Sequence, residues 1–237
     1  MNTMIKRGNH LLDCAIRNYK LIGMIASGAA LVALATAGVI QYNNYQLEKA
    51  YERVVTIQKY LETEVGRKTK ISDFEAIQFN TPEEKWNTLA HESSEAAKKS
   101  GNIKLQAIFS AYQGLAAQEL GNKQEAITHF EAAAQKSSNR ALAAEYELSV
   151  LLLELDSAEE MVRNKALAGI KALAEKKGLP VQALALYYLG EYAWTKAEYQ
   201  DAQNYWSQLV ISAQSNPDFA NLELIKKAKT KLKLMKA

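Results

Sequence analysis

A spacing of small and large residues that is typical of paired helices occurs twice in this sequence. The two sets share the same intervals along the chain: Gly114, Ala126, Phe130 and Ala133, and Gly190, Ala202, Trp206 and Leu209. Residues three and four apart lie on one face of a helix, so the last three members of each set predict the packing face of a second helix. The glycine of each set predicts the point at which the first helix of the pair approaches this second helix closely. The sequence therefore predicts helical hairpins that stack on their neighbours.

These two stretches resemble tetratricopeptide repeats. A third, less regular copy lies between them, with Tyr146, Leu148, Ser149, Leu152 and Leu155 in its first helix and Ala166, Ile170 and Leu173 in its second. Ala126 and Ala166 are 40 residues apart, and Ala166 and Ala202 are 36 apart, whereas the family period is about 34. An insertion in the middle repeat is therefore expected around residues 157–163.

The whole sequence predicts an all-α fold. It consists of one N-terminal membrane helix followed by an α-solenoid of tetratricopeptide type. Strand signals are nearly absent, and amphipathic segments are separated by short polar or glycine breaks. Thr81 and Pro82, followed by two glutamates, are typical of a helix start. Helices are predicted at residues 45–65, 82–100, 103–120, 123–136, 140–155, 162–177, 180–196, 199–212 and 217–236. The predicted organisation is a tail (1–20), a transmembrane helix (21–40), membrane-proximal helices (41–102), repeats (103–216) and a capping helix (217–237).

Residues 21–40 form an uncharged run that is apolar or small on all sides. A helix of this length crosses a hydrocarbon layer of about 30 Å. Tyrosines, which favour the boundary between membrane and water, stand on both sides of the run: Tyr19, Tyr42 and Tyr45. The run is therefore predicted to be a transmembrane helix.

The charges beside this run predict its orientation. Arg17 and Lys20 flank its N-terminal side, whereas the first cation beyond it is Lys49. This bias places residues 1–20 in the cytoplasm and the rest of the chain across the membrane. Two other interpretations stay open: a signal peptide cleaved after the small-x-small sequence at 35–37, and a helix buried in a protein core. The long basic region before the run and its continuation to residue 40 argue against cleavage.

Small residues in the predicted span form a strip on which another membrane helix could pack. Gly23, Ser27 and Ala30 lie at helical spacing along it, and small residues let transmembrane helices approach closely. The sequence thus indicates a transmembrane packing face at these three positions.

Charge and chemistry exclude several classes of function. The net charge of +3 arises from basic ends around residues 41–219, which carry 19 basic and 24 acidic side chains; no nucleic-acid partner is therefore predicted. The single cysteine, Cys14, leaves no intrachain disulfide. The three histidines are widely separated, and no phosphate loop or catalytic motif occurs. We therefore expect no metal, no cofactor and no enzymatic activity.

In tetratricopeptide proteins the first helices line the concave binding surface. The corresponding exposed positions in this chain are Ile108, Ala111, Leu115 and Gln118; Tyr146, Val150 and Leu153; and Tyr187, Glu191 and Trp194. This strip is largely apolar and aromatic, which favours an extended or helical apolar peptide as the ligand. The alternative is that the C-terminal helix, or the helix at 45–65, fills the groove from within.

The last predicted helix combines leucine and isoleucine with six lysines. Terminal repeats need a polar outer face, so it is interpreted as a solubilising cap. Contact between its lysines and anionic membrane lipid is the functional alternative.

From Tyr19 onward, the layout of the chain resembles the bacterial YfgM-like family: a membrane helix, a helix that leaves it, about three tetratricopeptide hairpins and a C-terminal helix rich in leucine and lysine. The resemblance implies an inner-membrane anchor with the repeats in the periplasm. It also implies a chaperone-type scaffold that is an ancillary subunit of the SecYEG translocon, with periplasmic chaperones such as PpiD and secreted clients as partners.

A second hypothesis is a structural adaptor of a cell-envelope or cell-division assembly with one folded partner. With the opposite membrane orientation, the chain would instead be a receptor on the cytosolic or organellar face.

Overall fold

The structure is a computed structural model that describes residues 19–70, 76–215 and 223–235, with side chains described for 39–70, 76–102, 105–214 and 223–235. The chain divides into two units, residues 1–49 and residues 50–237. The described residues of the first unit, 19–49, are helical. All contacts discussed below lie within the second unit.

The described elements, in chain order, are α1 (Tyr19–Glu62), β1 (Thr69–Lys70), β2 (Ala76–Ile77), α2 (Pro82–Lys99), α3 (Ile103–Glu119), α4 (Lys123–Lys136), α5 (Arg140–Leu155), α6 (Glu160–Ala174), α7 (Pro180–Thr195), α8 (Tyr199–Ser215) and α9 (Glu223–Leu234). The all-helical prediction is confirmed apart from β1 and β2. These two short strands pair antiparallel, with Thr69 opposite Ile77 and Lys70 opposite Ala76.

Most predicted helix boundaries agree with the structure to within three residues. The start of α2 is confirmed in detail: the Thr81 hydroxyl accepts a hydrogen bond from the Glu84 backbone N–H at 3.0 Å, and Pro82 occupies the first turn. Of the C-terminal helix predicted at 217–236, the structure describes α9 (Glu223–Leu234). Residues 217–222 and 236 of that prediction lie outside the described residues.

The predicted membrane span coincides with the N-terminal part of α1. The side chains of residues 21–38, which make up most of that span, lie outside the described residues. Among the residues that are described, no helix is both long and apolar enough to cross a membrane.

The two regular hairpins form as their spacing predicts. In α3/α4, a Cβ built on Gly114 would lie 3.0 Å from the ring of Phe130; in α7/α8, one built on Gly190 would lie 2.2 Å from Nε1 of Trp206. The same indole N–H donates to the Tyr187 carbonyl at 3.3 Å. Each glycine therefore admits the large residue of the second helix directly against the backbone of the first.

The turns of these two hairpins are also equivalent. Gly121, after α3, has a φ of +80°, and Ala197, after α7, has a φ of +61°. In each turn the next N–H bonds to a carbonyl near the helix end: Asn122 to Ala117 at 2.8 Å, and Glu198 to Ala193 at 2.9 Å. Both hairpins close with the left-handed turn that commonly ends a helix.

The middle hairpin, α5/α6, uses a different pair of residues for its close approach. Gly169 on the second helix faces Leu151 on the first, and a Cβ on Gly169 would lie 2.8 Å from the leucine side chain. The small and large residues have thus exchanged helices. The segment at 157–163, where an insertion is expected, comprises the end of the turn before α6 and the first four residues of that helix. The Arg163 guanidinium there donates to the carbonyls of Ser157 at 2.8 Å and Ala158 at 2.6 Å.

A further antiparallel pair, not predicted as a hairpin, precedes these three. The last turns of α1 lie against α2, because Arg53, Thr56 and Ile57 line a common cleft with Glu92, Glu95 and Ala96. At the other end, the Lys85 ammonium donates to the carbonyls of Leu61 at 2.7 Å and Thr63 at 2.9 Å. A cation here satisfies carbonyls at the negative end of a helix.

Consecutive helices pack on one another from α2 to α9. Buried side chains collect in successive clusters around Phe130, around Ile170 and Leu189, and around Trp206 and Ile225. This arrangement is compatible with an α-solenoid, in which each hairpin is stabilised chiefly by its neighbours.

Candidate binding surface

The first helices of the hairpins form a common side of the second unit. Helices α5 and α7 contact each other directly, and α9 contacts both α7 and α8. We call the side formed by α3, α5 and α7 the first-helix surface. All ten predicted groove positions belong to these three helices.

Several predicted positions on α3 and α5 take part in the protein core. Leu115, Tyr146 and Leu153 are partly buried and pack against the cluster that contains Phe130. Val150 belongs to that cluster and is only 8% exposed. The expectation that Val150 is exposed is therefore wrong. On α3, Ile108 and Ala111 are half-buried, and Gln118 is exposed.

Two tyrosines and two glutamates approach one another at the N-terminal end of this surface. Burial raises the pKa of the Tyr112 phenol, and the charge of Glu62, the last residue of α1, raises it further. Burial also raises the pKa of Tyr146, with added contributions from Glu145 and Tyr112. The sequence predicted only Tyr146 here. Tyr112 directly follows the predicted Ala111, but Glu62 gave no signal because α1 was not recognised as part of a hairpin.

The half-buried Glu145 carboxylate forms no ion pair with any of the described residues. Burial alone raises its pKa. Together with the tyrosine hydroxyls, it gives this end of the surface a polar, negatively charged character. Such a group favours a ligand that supplies an N–H donor or a cation.

The C-terminal end of the surface is occupied by α9. The Lys231 ammonium lies 2.7 Å from the Glu191 carboxylate and donates a hydrogen bond to it. Tyr187 packs against the cluster that contains Ile225 and Ala228 of α9. Burial raises the pKa of the Tyr187 phenol, and Glu191 beside it raises it further. The alternative that the C-terminal helix fills the groove from within applies to these two positions.

Large aromatic side chains remain exposed where α7 turns into α8. Trp194 is 40% exposed and Tyr199 is 53% exposed. Their ring centroids are 4.9 Å apart, and the Trp194 ring lies 5.9 Å from the buried ring of Trp206. We call Trp194 and Tyr199 the aromatic platform. The Trp194 ring thus packs against Tyr199 of the platform and against the buried Trp206.

The residues predicted to pack against another membrane helix, Gly23, Ser27 and Ala30, belong to α1. Their side chains lie outside the described residues, so the packing face stays a prediction.

No family model matches this chain, and no curated protein or solved structure matches it either.

Proposed function

We propose that this protein is a tetratricopeptide-type scaffold that binds proteins or peptides through its first-helix surface. The aromatic platform carries the proposal. Two aromatic rings are exposed side by side, and a fully buried tryptophan holds one of them. Rigid aromatic side chains give a large contact area at low entropic cost and dominate the energy of protein interfaces.

The ligand we propose is an apolar peptide segment, as in a secreted chain that has not yet folded. Six residues before Trp194 in α7, Tyr188 is also exposed, and its ring meets that of Tyr187 edge to face with the centroids 5.7 Å apart. Apolar side chains of a ligand would be removed from water against these rings, and this burial contributes about 25 cal/mol per Å² of apolar surface. Half-buried polar groups near Tyr146 would set the orientation of the bound segment.

The second part of the proposal places this scaffold at a membrane. The uncharged run at 21–40 supports a single-pass anchor in the bacterial inner membrane, with residues 1–20 in the cytoplasm and the repeats in the periplasm. The resemblance to the YfgM-like family supports the SecYEG translocon, a chaperone such as PpiD and secreted clients as partners. Tethering would raise the effective concentration of the repeats beside the emerging chain.

The test is the affinity of the full chain, reconstituted in detergent or nanodiscs, for a fluorescent, permanently unfolded secreted protein. Trp194→Ala should weaken binding about tenfold, since a central aromatic anchor is worth more than about 1.4 kcal/mol. Ile211→Ala is the matched control, because Ile211 is an even more exposed apolar residue, on the second helix α8. Equal affinities of the two variants and the unaltered chain would disprove a role for the platform.

The engagement of Tyr187 and Glu191 by α9 favours a second candidate, a structural adaptor. With that end of the surface occupied, the open aromatic area is small, as expected for contact with one folded partner. Purification from membranes distinguishes the two: an adaptor yields one partner in fixed stoichiometry, whereas a chaperone-type scaffold yields the translocon with mixed clients and suppresses their aggregation.

A further inference from the structure

We infer that the C-terminal end of the first-helix surface is a receptor site for an amphipathic helix that carries a lysine, and that α9 is its resident intramolecular occupant. The site consists of Tyr187 and Glu191 of α7, with Trp206 of the adjoining helix α8 and the apolar surface around them. This inference rests on the proposed function, because it concerns the same surface and names a class of ligand for it.

The apolar contact of α9 is confined to one face of the helix. Ile225 is 1% exposed and Ala228 is fully buried, and Leu232 packs against the same cluster. These positions are spaced by three and four residues, as in other helices that bind in grooves. An external ligand would need small or branched apolar residues at the same intervals.

The polar contact of α9 is specific to a single lysine. Lys231 lies 2.7 Å from the Glu191 carboxylate and 5.1 Å from the centroid of the Trp206 ring. A carboxylate and an aromatic face together favour an ammonium group, through an ion pair and a cation–π contact. Among the described residues, no other lysine of α9 pairs with a different helix: Lys226 pairs with Glu223 of α9 itself, at 3.2 Å.

These contacts differ from what capping alone requires. A cap needs buried apolar residues on one side and solvated charges on the other, and the exposed Lys226, Lys229 and Lys233 meet the second need. Lys231 instead reaches back to Glu191, a predicted ligand-facing position. We therefore infer that α9 imitates the ligand and that an external helix must displace it.

The experiment uses the full chain and compares hydrogen exchange of the amides at 224–234 with that at 181–214. Lys231→Glu places two carboxylates together, so exchange of the α9 amides should accelerate about tenfold, equivalent to about 1.4 kcal/mol. Combining it with Glu191→Lys restores an ion pair and should slow exchange again. Lys229→Glu, an exposed lysine on the same helix, is the matched control and should change little.

Three exchange results would overturn the inference. Lys231→Glu could leave α9 exchange unchanged, the charge swap could fail to restore it, or residues 181–214 could accelerate together with α9. The last result would make α9 an inseparable part of the α7/α8 hairpin.

A binding measurement supplies the second readout. The double variant Ile225→Asp, Lys231→Glu should release α9 and bind a fluorescent peptide with the sequence of residues 223–235. Adding Glu191→Gln to this variant, which removes the carboxylate without restoring an ion pair to position 231, should weaken peptide binding about tenfold. The inference is contradicted if the substitution of Glu191 leaves peptide affinity unchanged. It is also contradicted if the folded release variant does not bind the peptide. If the release variant does not fold, the exchange series decides alone. Because no unfolded client is involved, these outcomes are separate from the Trp194 test.

Discussion

Single residues decide how closely the paired helices approach. Gly114 and Gly190 could be recognised from sequence because each precedes an alanine and a large aromatic residue at a fixed interval. Gly169 could not, because its partner Leu151 lies on the opposite helix from the one that the repeat pattern predicts. The order of small and large residues along a chain does not reveal which of two facing helices supplies the large side chain. The same limit explains Val150, which the neighbouring repeat buries.

Gly190→Ala should destabilise the protein. The added methyl group would lie 2.2 Å from Nε1 and 2.5 Å from Cδ1 of Trp206, a rigid ring with no room to move. Overpacking of this kind costs about 3 kcal/mol, which exceeds the gain of about 1 kcal/mol from replacing glycine in a helix. We expect a net loss of about 2 kcal/mol in the free energy of unfolding, measured by denaturant titration.

Substitutions at two further glycines serve as comparisons for this prediction. Gly114→Ala should cost less, since its nearest contact is 3.0 Å, and Gly101→Ala should be neutral or slightly stabilising, since no atom lies within 4 Å of the new methyl. If all three substitutions had the same effect, close approach at Gly190 would not be the cause.

Glu145→Gln should stabilise the protein at pH 7. Burial raises the pKa of this carboxyl above its ordinary value, so the folded state disfavours the charged form and loses stability as the pH rises through that pKa. Glutamine removes the charge. The gain should therefore shrink as the pH falls through the raised pKa and vanish below the unfolded value of about 4.3.

Unfolding measured between pH 3 and 8 would check this dependence. Glu147→Gln is the matched control on the same helix, because Glu147 is exposed and pairs with Lys176 at 3.3 Å; it should give no gain. A gain at Glu145 that is independent of pH would exclude burial of its charge as the cause.

At the scale of elements, most helices could be located from local signals. Thr81 and Pro82 predicted the start of α2, and the glycine break at Gly121 predicted the end of α3, because these signals act within a few residues. The pairing of α1 with α2 was missed because a long connection with β1 and β2 separates them. Their contacts, such as Lys85 to Leu61, join residues that no local pattern relates.

Lys85→Met should loosen the junction of α1 and α2. The Lys85 ammonium donates to two carbonyls at 2.7 and 2.9 Å, and a hydrogen bond from a charged group contributes about 1.5 kcal/mol or more. We expect a loss of about that size in the free energy of unfolding, with faster hydrogen exchange at residues 57–63.

Lys98→Met on the same helix is the control for this change. Lys98 is exposed in its ion pair with Glu95, so the loss should be much smaller than that of Lys85→Met. Equal losses for the two variants would show that capping by Lys85 does not hold α1 in place.

At the scale of the whole molecule, the proposed function combines an open aromatic platform with a location at the membrane. Sequence could place Trp194 on the first-helix surface because its repeat position is regular. It could not tell which of the neighbouring positions α9 covers, because that depends on how the terminal helix packs. The open surface is consequently smaller than the predicted strip and is concentrated at the turn between α7 and α8.

The central claim, that this surface meets other proteins at a membrane, is tested most directly by site-specific photocrosslinking in intact bacterial cells. A photoreactive amino acid at position 194 should yield adducts with translocon components, chaperones or secreted chains when analysed by mass spectrometry. The same probe at the exposed position 211 should yield few. Absence of adducts from position 194, or equal yields of the same adducts from both positions, would contradict the account.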